Sequence, residues 1–131
     1  MQDIRWKQRL SNFQKAYLFL KKSVQQGSYD ELQAAGLVQS FEFNFELAWK
    51  TLKDYQTEMG LNLAFPREVL KEAFKAGLIS DGHLWISMLD HRNELTHCYN
   101  EEQSKKAVQL ICEKYFPAIE QVYLKLKSLS E

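Results

Sequence analysis

The sequence predicts an all-α protein: an antiparallel four-helix up-and-down bundle with one additional short helix. Three observations predict it. Apolar residues recur with a 3.6-residue period over long stretches. No stretch alternates cleanly, as a half-buried strand would. Only two prolines and five glycines interrupt 131 residues. That length is expected to form a single domain, residues 1–131, around one core.

The first helical pattern is Leu10, Phe13, Tyr17, Leu20 and Val24, stopping near Gly27. The second begins around Asp30 and runs through Leu37, Phe41, Phe45, Ala48, Leu52 and Tyr55 to Met59. Gly60 fits its C′ position, and Gly36 weakens its first turns. The third is short, with Pro66 at its first position, an apolar set at Val69, Leu70, Ala73 and Phe74, and Gly77 as its stop. A fourth runs from Asp81 through Trp85, Met88, Leu89 and Arg92 to about Thr96, capped by Ser80 or Asp81. The fifth starts at Asn100 with a capping box to Gln103 and continues through Val108, Ile111, Tyr115, Ile119, Val122 and Leu126. Pro117 lies inside it and should kink or split it. Residues 1–3 and 128–131 are expected to fray.

Composition narrows the function classes. Apolar residues at 45% and charged ones at 26% match a soluble globular protein and argue against disorder. No run approaches the roughly 20 apolar residues of a membrane helix. The start, MQDIRWKQRL, lacks a signal-peptide core, so a cytoplasmic location is expected. Cys98 and Cys112 read as reduced thiols. Seventeen basic residues cancel seventeen acidic ones, which removes the simple electrostatic argument for nucleic acid. The charge is unevenly spread, however. Residues 1–27 hold six Lys/Arg against one Asp, a net of +5, and residues 28–60 hold two against six, a net of −4. Such halves can pack side by side as faces of opposite sign, or the basic one can meet a polyanion.

The densest polar run is DHRNELTHCYN, residues 90–100, and all three histidines lie between 83 and 97. On a helix Asp90, Asn93 and His97 share one face. Arg92 lies in line with Trp85 and Leu89, at the margin of the apolar stripe, where a guanidinium needs an acceptor. Glu42 and Glu46, flanking the Phe41/Phe45 stripe, are the candidates. Two roles fit. Arg92 could tie two helices together with His97 as a helix-end cap. Alternatively the two could serve phosphate chemistry, the imidazole moving a proton from a ribose hydroxyl and the guanidinium holding the phosphate. Five positions apart on an unbroken helix, they would point about 140° from one another. The second role therefore requires the helix to end near residue 96, or a second copy across a two-fold axis.

Other motifs weigh less. His83 and His91 have no ligand at zinc spacing, and there is no phosphate loop, so neither a metal nor a cofactor is expected. Cys98 beside His97 reads as a buried thiol, since neighbours on a helix point apart. Trp49, Trp85 and the FEFNFELAW run read as core. Phe43 lies off the Phe41/Phe45 stripe and, if exposed, suggests a protein–protein surface.

The runs SFEFNFELAWKTLKDY (40–55), PREVLKEAFKAGLI (66–79) and WISMLDHRNELTHCY (85–99), in this order, resemble the nucleotidyltransferase substrate-binding proteins of the HEPN superfamily. The resemblance covers roughly residues 5–126. It implies a HEPN-like bundle that forms a homodimer and a complex with a minimal nucleotidyltransferase encoded nearby. The family carries two readings. In one, the bundle is the substrate-binding partner of that transferase, with a nucleotide or RNA in its cleft. In the other, the pair is a toxin–antitoxin module whose HEPN member is a metal-independent ribonuclease. By match to Arg-x4-His-x-Tyr, Arg92 and His97 would then be the catalytic pair. Asn93 would be the polar neighbour, Asp90 and Glu46 would support, and Tyr99 would be the hydroxyl that the partner silences by adenylylation. The chain has no nucleotidyltransferase signature of its own, no Gly-Ser motif with paired aspartates.

Overall fold

The computed structural model describes residues 2–95 and 100–131, with side chains from residue 4 onward. The described residues form α1 (Gln2–Val24), α2 (Glu31–Glu58), α3 (Pro66–Lys75), α4 (Gly82–Leu95), α5 (Glu101–Leu110) and α6 (Phe116–Ser130), with a π-helical turn at Ile111–Tyr115 joining the last two. α2 is the spine, packing against α1, α3, α4, α5 and α6, while α6 also returns alongside α1. The antiparallel four-helix arrangement with a short helix in a connection is therefore present. Its long members are α1, α2, α4 and the α5–α6 rod.

Local chemistry explains the ends. Asp30 Oδ1 accepts from the Gln33 N–H while Gln33 Oε1 accepts from the Asp30 N–H, a complete capping box. Asp81 Oδ1 caps α4 through the Leu84 N–H at 3.1 Å, and Asn100 Oδ1 caps α5 through the Gln103 N–H at 2.8 Å. α2 and α3 end in Schellman motifs. Leu61 N–H reaches the Gln56 carbonyl and Leu78 N–H reaches that of Ala73, with Gly60 and Gly77 at φ of +93° and +77°.

Two boundaries differ from expectation. α1 begins a full two turns before Leu10, because Trp6, one turn upstream, is itself buried and meets the Tyr55 ring edge-on at 5.0 Å. α6 stays helical to Ser130, past the expected fraying point at 128. Pro117 splits the last helix through the π-turn. Phe116 N–H bonds to the Ile111 carbonyl five residues back. A wider turn makes room for a proline ring that would otherwise clash with the carbonyl four residues earlier.

The core is continuous and rich in rings. Phe45 stacks on Trp85 at 5.9 Å, Phe41 on Tyr115 at 5.1 Å and Tyr17 on Tyr123 at 4.4 Å. Such pairs add about 0.5–1.5 kcal/mol each beyond area burial. Polar ties fix helix against helix. Asn44 Nδ2 donates to the Ala16 carbonyl of α1, Gln56 Nε2 to the Val69 carbonyl of α3, and Tyr17 to Glu120. The opposite charges of the first two helices do meet side by side, with Asp54 of α2 accepting from Arg9 Nε at 2.6 Å and lying 3.9 Å from Arg5.

Candidate functional site

Arg92 sits in the last turn of described α4, and Glu46 in the middle of α2. Arg92 Nη1 donates to Glu46 Oε1 at 2.6 Å, so of the two candidate acceptors it is Glu46 that serves. Glu42 instead lines a separate hollow with Leu95 and Ser104. The guanidinium also lies over the Phe45 ring, 5.4 Å from its centroid. The arrangement follows from helix geometry. Phe45 points into the core, Glu46 is one step round at the core's rim, and Arg92 lies just outside Trp85, which stacks on Phe45. A cation over an aromatic face and against a carboxylate satisfies both demands of a half-buried guanidinium.

Glu46 is heavily engaged. Its Oε2 accepts from Trp49 Nε1 at 3.0 Å and lies 3.8 Å from Lys50 Nζ. The carboxylate is thereby oriented, with Oε1 reserved for Arg92. The pair is still open to water, the two side chains being 25% and 35% exposed. An arginine so placed keeps donors for a further anion.

Glu46 also lines a groove of about 840 Å³ between α1 and α2. Its walls carry Phe19 and Phe43, both more than half exposed, with Arg9, Lys15 and Lys50 along them. Phe43 is thus an exposed aromatic. Phe19 does the same on α1 and escaped the sequence reading, although it too stands off its helix's stripe.

The remaining site candidates are dispersed. Asp90 points away from Arg92, because two positions on a helix are about 200° apart. It accepts from Arg67 Nη2 of α3 at 2.6 Å instead. Asn93 is exposed. His91 Nδ1 lies 3.4 Å from Ser87 Oγ. His97, Cys98 and Tyr99 lie outside the described residues. Trp85, Phe41 and Phe45 are core, as expected, while Trp49 is half-buried with its indole on Glu46. Near the same helix, the π-turn brings Tyr115 to Ser87 of α4. Burial raises that phenol's pKa, and the Ser87 hydrogen bond opposes the rise.

Known proteins share this architecture. A solved structure from Thermus thermophilus superposes with a TM-score of 0.79 at 30% identity, over 88% of this chain and 98% of that one. A Haemophilus influenzae structure, described as revealing the fold of a substrate binding domain of a nucleotidyltransferase, gives 0.78 at 25% identity over 90% and 98%. The chain is also 35% identical over 75 residues to a Haemophilus influenzae protein named "Probable ribonuclease HepT", 53% of this chain and 51% of that one. The alignment thus spans about half the length of that curated relative. The family model for nucleotidyltransferase substrate binding protein like chains matches residues 8–128. On that match the chain belongs to the nucleotidyltransferase substrate binding protein like family.

Proposed function

We propose that the chain works as a homodimer and as the partner subunit of a separately encoded small nucleotidyltransferase. The observation that carries this reading is the α1–α2 groove. Two exposed phenylalanines there adjoin the open Arg92–Glu46 pair. Contiguous exposed aromatics mark association surfaces. A second copy seated on that face would bring two Arg92 residues toward one two-fold cleft. The cleft then holds a nucleotide or presents Tyr99 to the transferase, with Asn93, Asp90 and Glu46 supporting. The chain supplies binding, and the partner supplies transfer.

The test is sedimentation of the pure chain, alone and mixed with the nucleotidyltransferase encoded beside it. A dimer that becomes heavier on mixing is expected. Phe43→Asp should yield a folded monomer.

The relative's name, which says ribonuclease, favours a second reading: we infer as the alternative a ribonuclease that works without a metal. In it, Arg92 holds the scissile phosphate through its free donors, His97 moves the 2′-hydroxyl proton, and adenylylation of Tyr99 by the partner closes the cleft. Expression without the partner separates the two readings. If the wild type degrades host RNA and both Arg92→Ala and His97→Ala leave it intact, the ribonuclease reading stands. If all three leave RNA intact, with variants folded, the binding subunit stands alone.

A further inference from the structure

Arg92 and Glu46 meet through one hydrogen bond, Nη1 to Oε1 at 2.6 Å. The two groups could make more. A guanidinium and a carboxylate have matching forks and commonly join by two parallel bonds. A forked pair needs both carboxylate oxygens turned to the arginine. Here Oε2 is turned away. It accepts from the indole N–H of Trp49 at 3.0 Å, and Lys50 Nζ stands 3.8 Å from the same oxygen.

Spacing on α2 builds this division. Trp49 and Lys50 lie three and four positions after Glu46. Side chains on a helix lean toward its N-terminus, so both reach back to the Glu46 carboxylate. Trp49 is the firmer anchor of the two. Its ring is half-buried and its bond short, whereas Lys50 is 45% exposed and beyond hydrogen-bond distance. From below, the Phe45 ring lies 5.4 Å from the Arg92 guanidinium and supports it. The guanidinium thus spends one N–H on Glu46, and its side chain stays 25% exposed.

We propose that Trp49 is a positioning residue for Arg92: its indole N–H holds Glu46 Oε2, keeps the carboxylate from closing as a fork on the guanidinium, and so leaves Arg92 a fork of N–H groups for a phosphate. This inference rests on the reading of Arg92 as an anion-binding group given above. Glu46 then orients Arg92 without occupying its second edge. Without the indole N–H, Oε2 loses its donor. The guanidinium already at Oε1 replaces it ahead of Lys50, whose exposed side chain would have to give up freedom to close in. A forked ion pair then forms at the expense of the phosphate.

The experiment measures AMP binding to the full chain by calorimetry in the wild type, Trp49→Phe, Trp49→Phe combined with Glu46→Gln, and Arg92→Ala. A crystal structure of Trp49→Phe accompanies it. Phenylalanine keeps an aromatic ring and removes the N–H donor. Trp49→Phe should bind AMP about tenfold more weakly, with both Glu46 oxygens within hydrogen-bond distance of Arg92. Adding Glu46→Gln should return the affinity to the wild-type range, because an amide has one acceptor oxygen and cannot close the fork. A mere loss of packing would not be rescued in this way. Trp49→Leu, which also lacks the donor, should show the same weakening and the same rescue, and circular dichroism verifies each fold. If Trp49→Phe binds AMP like the wild type while Arg92→Ala does not bind it, the positioning role is overturned and the Arg92 site stands. The same holds if Glu46→Gln restores nothing, or if Oε2 stays off Arg92 in the variant structure. If Arg92→Ala binds AMP as tightly as the wild type, or the wild type does not saturate into the millimolar range, the anion-binding reading itself falls and the positioning role falls with it.

Discussion

Two carboxylates stand eight residues apart on α2, and each accepts an arginine from another helix at 2.6 Å. Their surroundings differ. Asp54 is nearly buried, its side chain 9% exposed, with Arg9 and Arg5 gathered round it where α1 docks. Glu46 is 35% exposed, held by Trp49 and Lys50, beside a groove with two bare phenylalanines. The same ion pair can therefore serve construction near the C-terminal end of a helix and remain available for use at its middle. Burial decides which. A buried carboxylate leaves a large penalty when its partner is lost, whereas an exposed pair contributes about 0–1 kcal/mol.

Substitutions can break or sharpen that contrast. Phe45→Ala should cost most, about 3–5 kcal/mol in urea unfolding, because it empties the core under Trp85 and also removes the ring beneath Arg92. Asp54→Ala should cost about 2 kcal/mol by the same measurement, leaving Arg9 half-buried without its acceptor. Arg92→Ala should cost under about 1 kcal/mol and change function rather than fold. Equal losses for Asp54→Ala and Arg92→Ala would erase the distinction.

The smallest effect concerns alkaline pH. Tyr29 donates to the Ser23 carbonyl at 2.6 Å, and its phenol is pushed up to about 12, by burial first and the neighbouring Cys112 thiol second. A pKa higher folded than unfolded means the neutral phenol stabilises the fold. That contribution is complete below about pH 10, the unfolded value, and is lost as pH rises toward 12. Tyr29→Phe should flatten that part of the stability–pH curve in thermal melts followed from pH 9 to 12.

Much of this was legible in the sequence. The five helical patterns, the Gly60 and Gly77 stops and the Asp81 and Asn100 caps follow from local chemistry, which a single chain displays. Docking register does not. Glu42 and Glu46 are one turn apart on one face, about 6 Å along the axis, and only the packing of α4 on α2 selects Glu46 for Arg92. The same holds for Asp90, whose partner Arg67 lies on another helix. Pro117 announced a break, but not its form, a π-turn whose last residue, Tyr115, stacks on Phe41 of α2. Phe19 was readable by the off-stripe criterion that singled out Phe43. Of the site itself, Arg92 at the edge of the core and its need for a carboxylate were readable. His97 and Tyr99 remain assignments by family resemblance.

The central claim is that the α1–α2 groove is an association surface serving a nucleotidyltransferase. Sedimentation velocity on the full chain, with and without that transferase, tests it most directly. The account predicts a species of twice 15.4 kDa for the wild type, a heavier complex on mixing, and a folded 15.4 kDa monomer for Phe43→Asp. A wild-type monomer that gains no mass beside the transferase would contradict it.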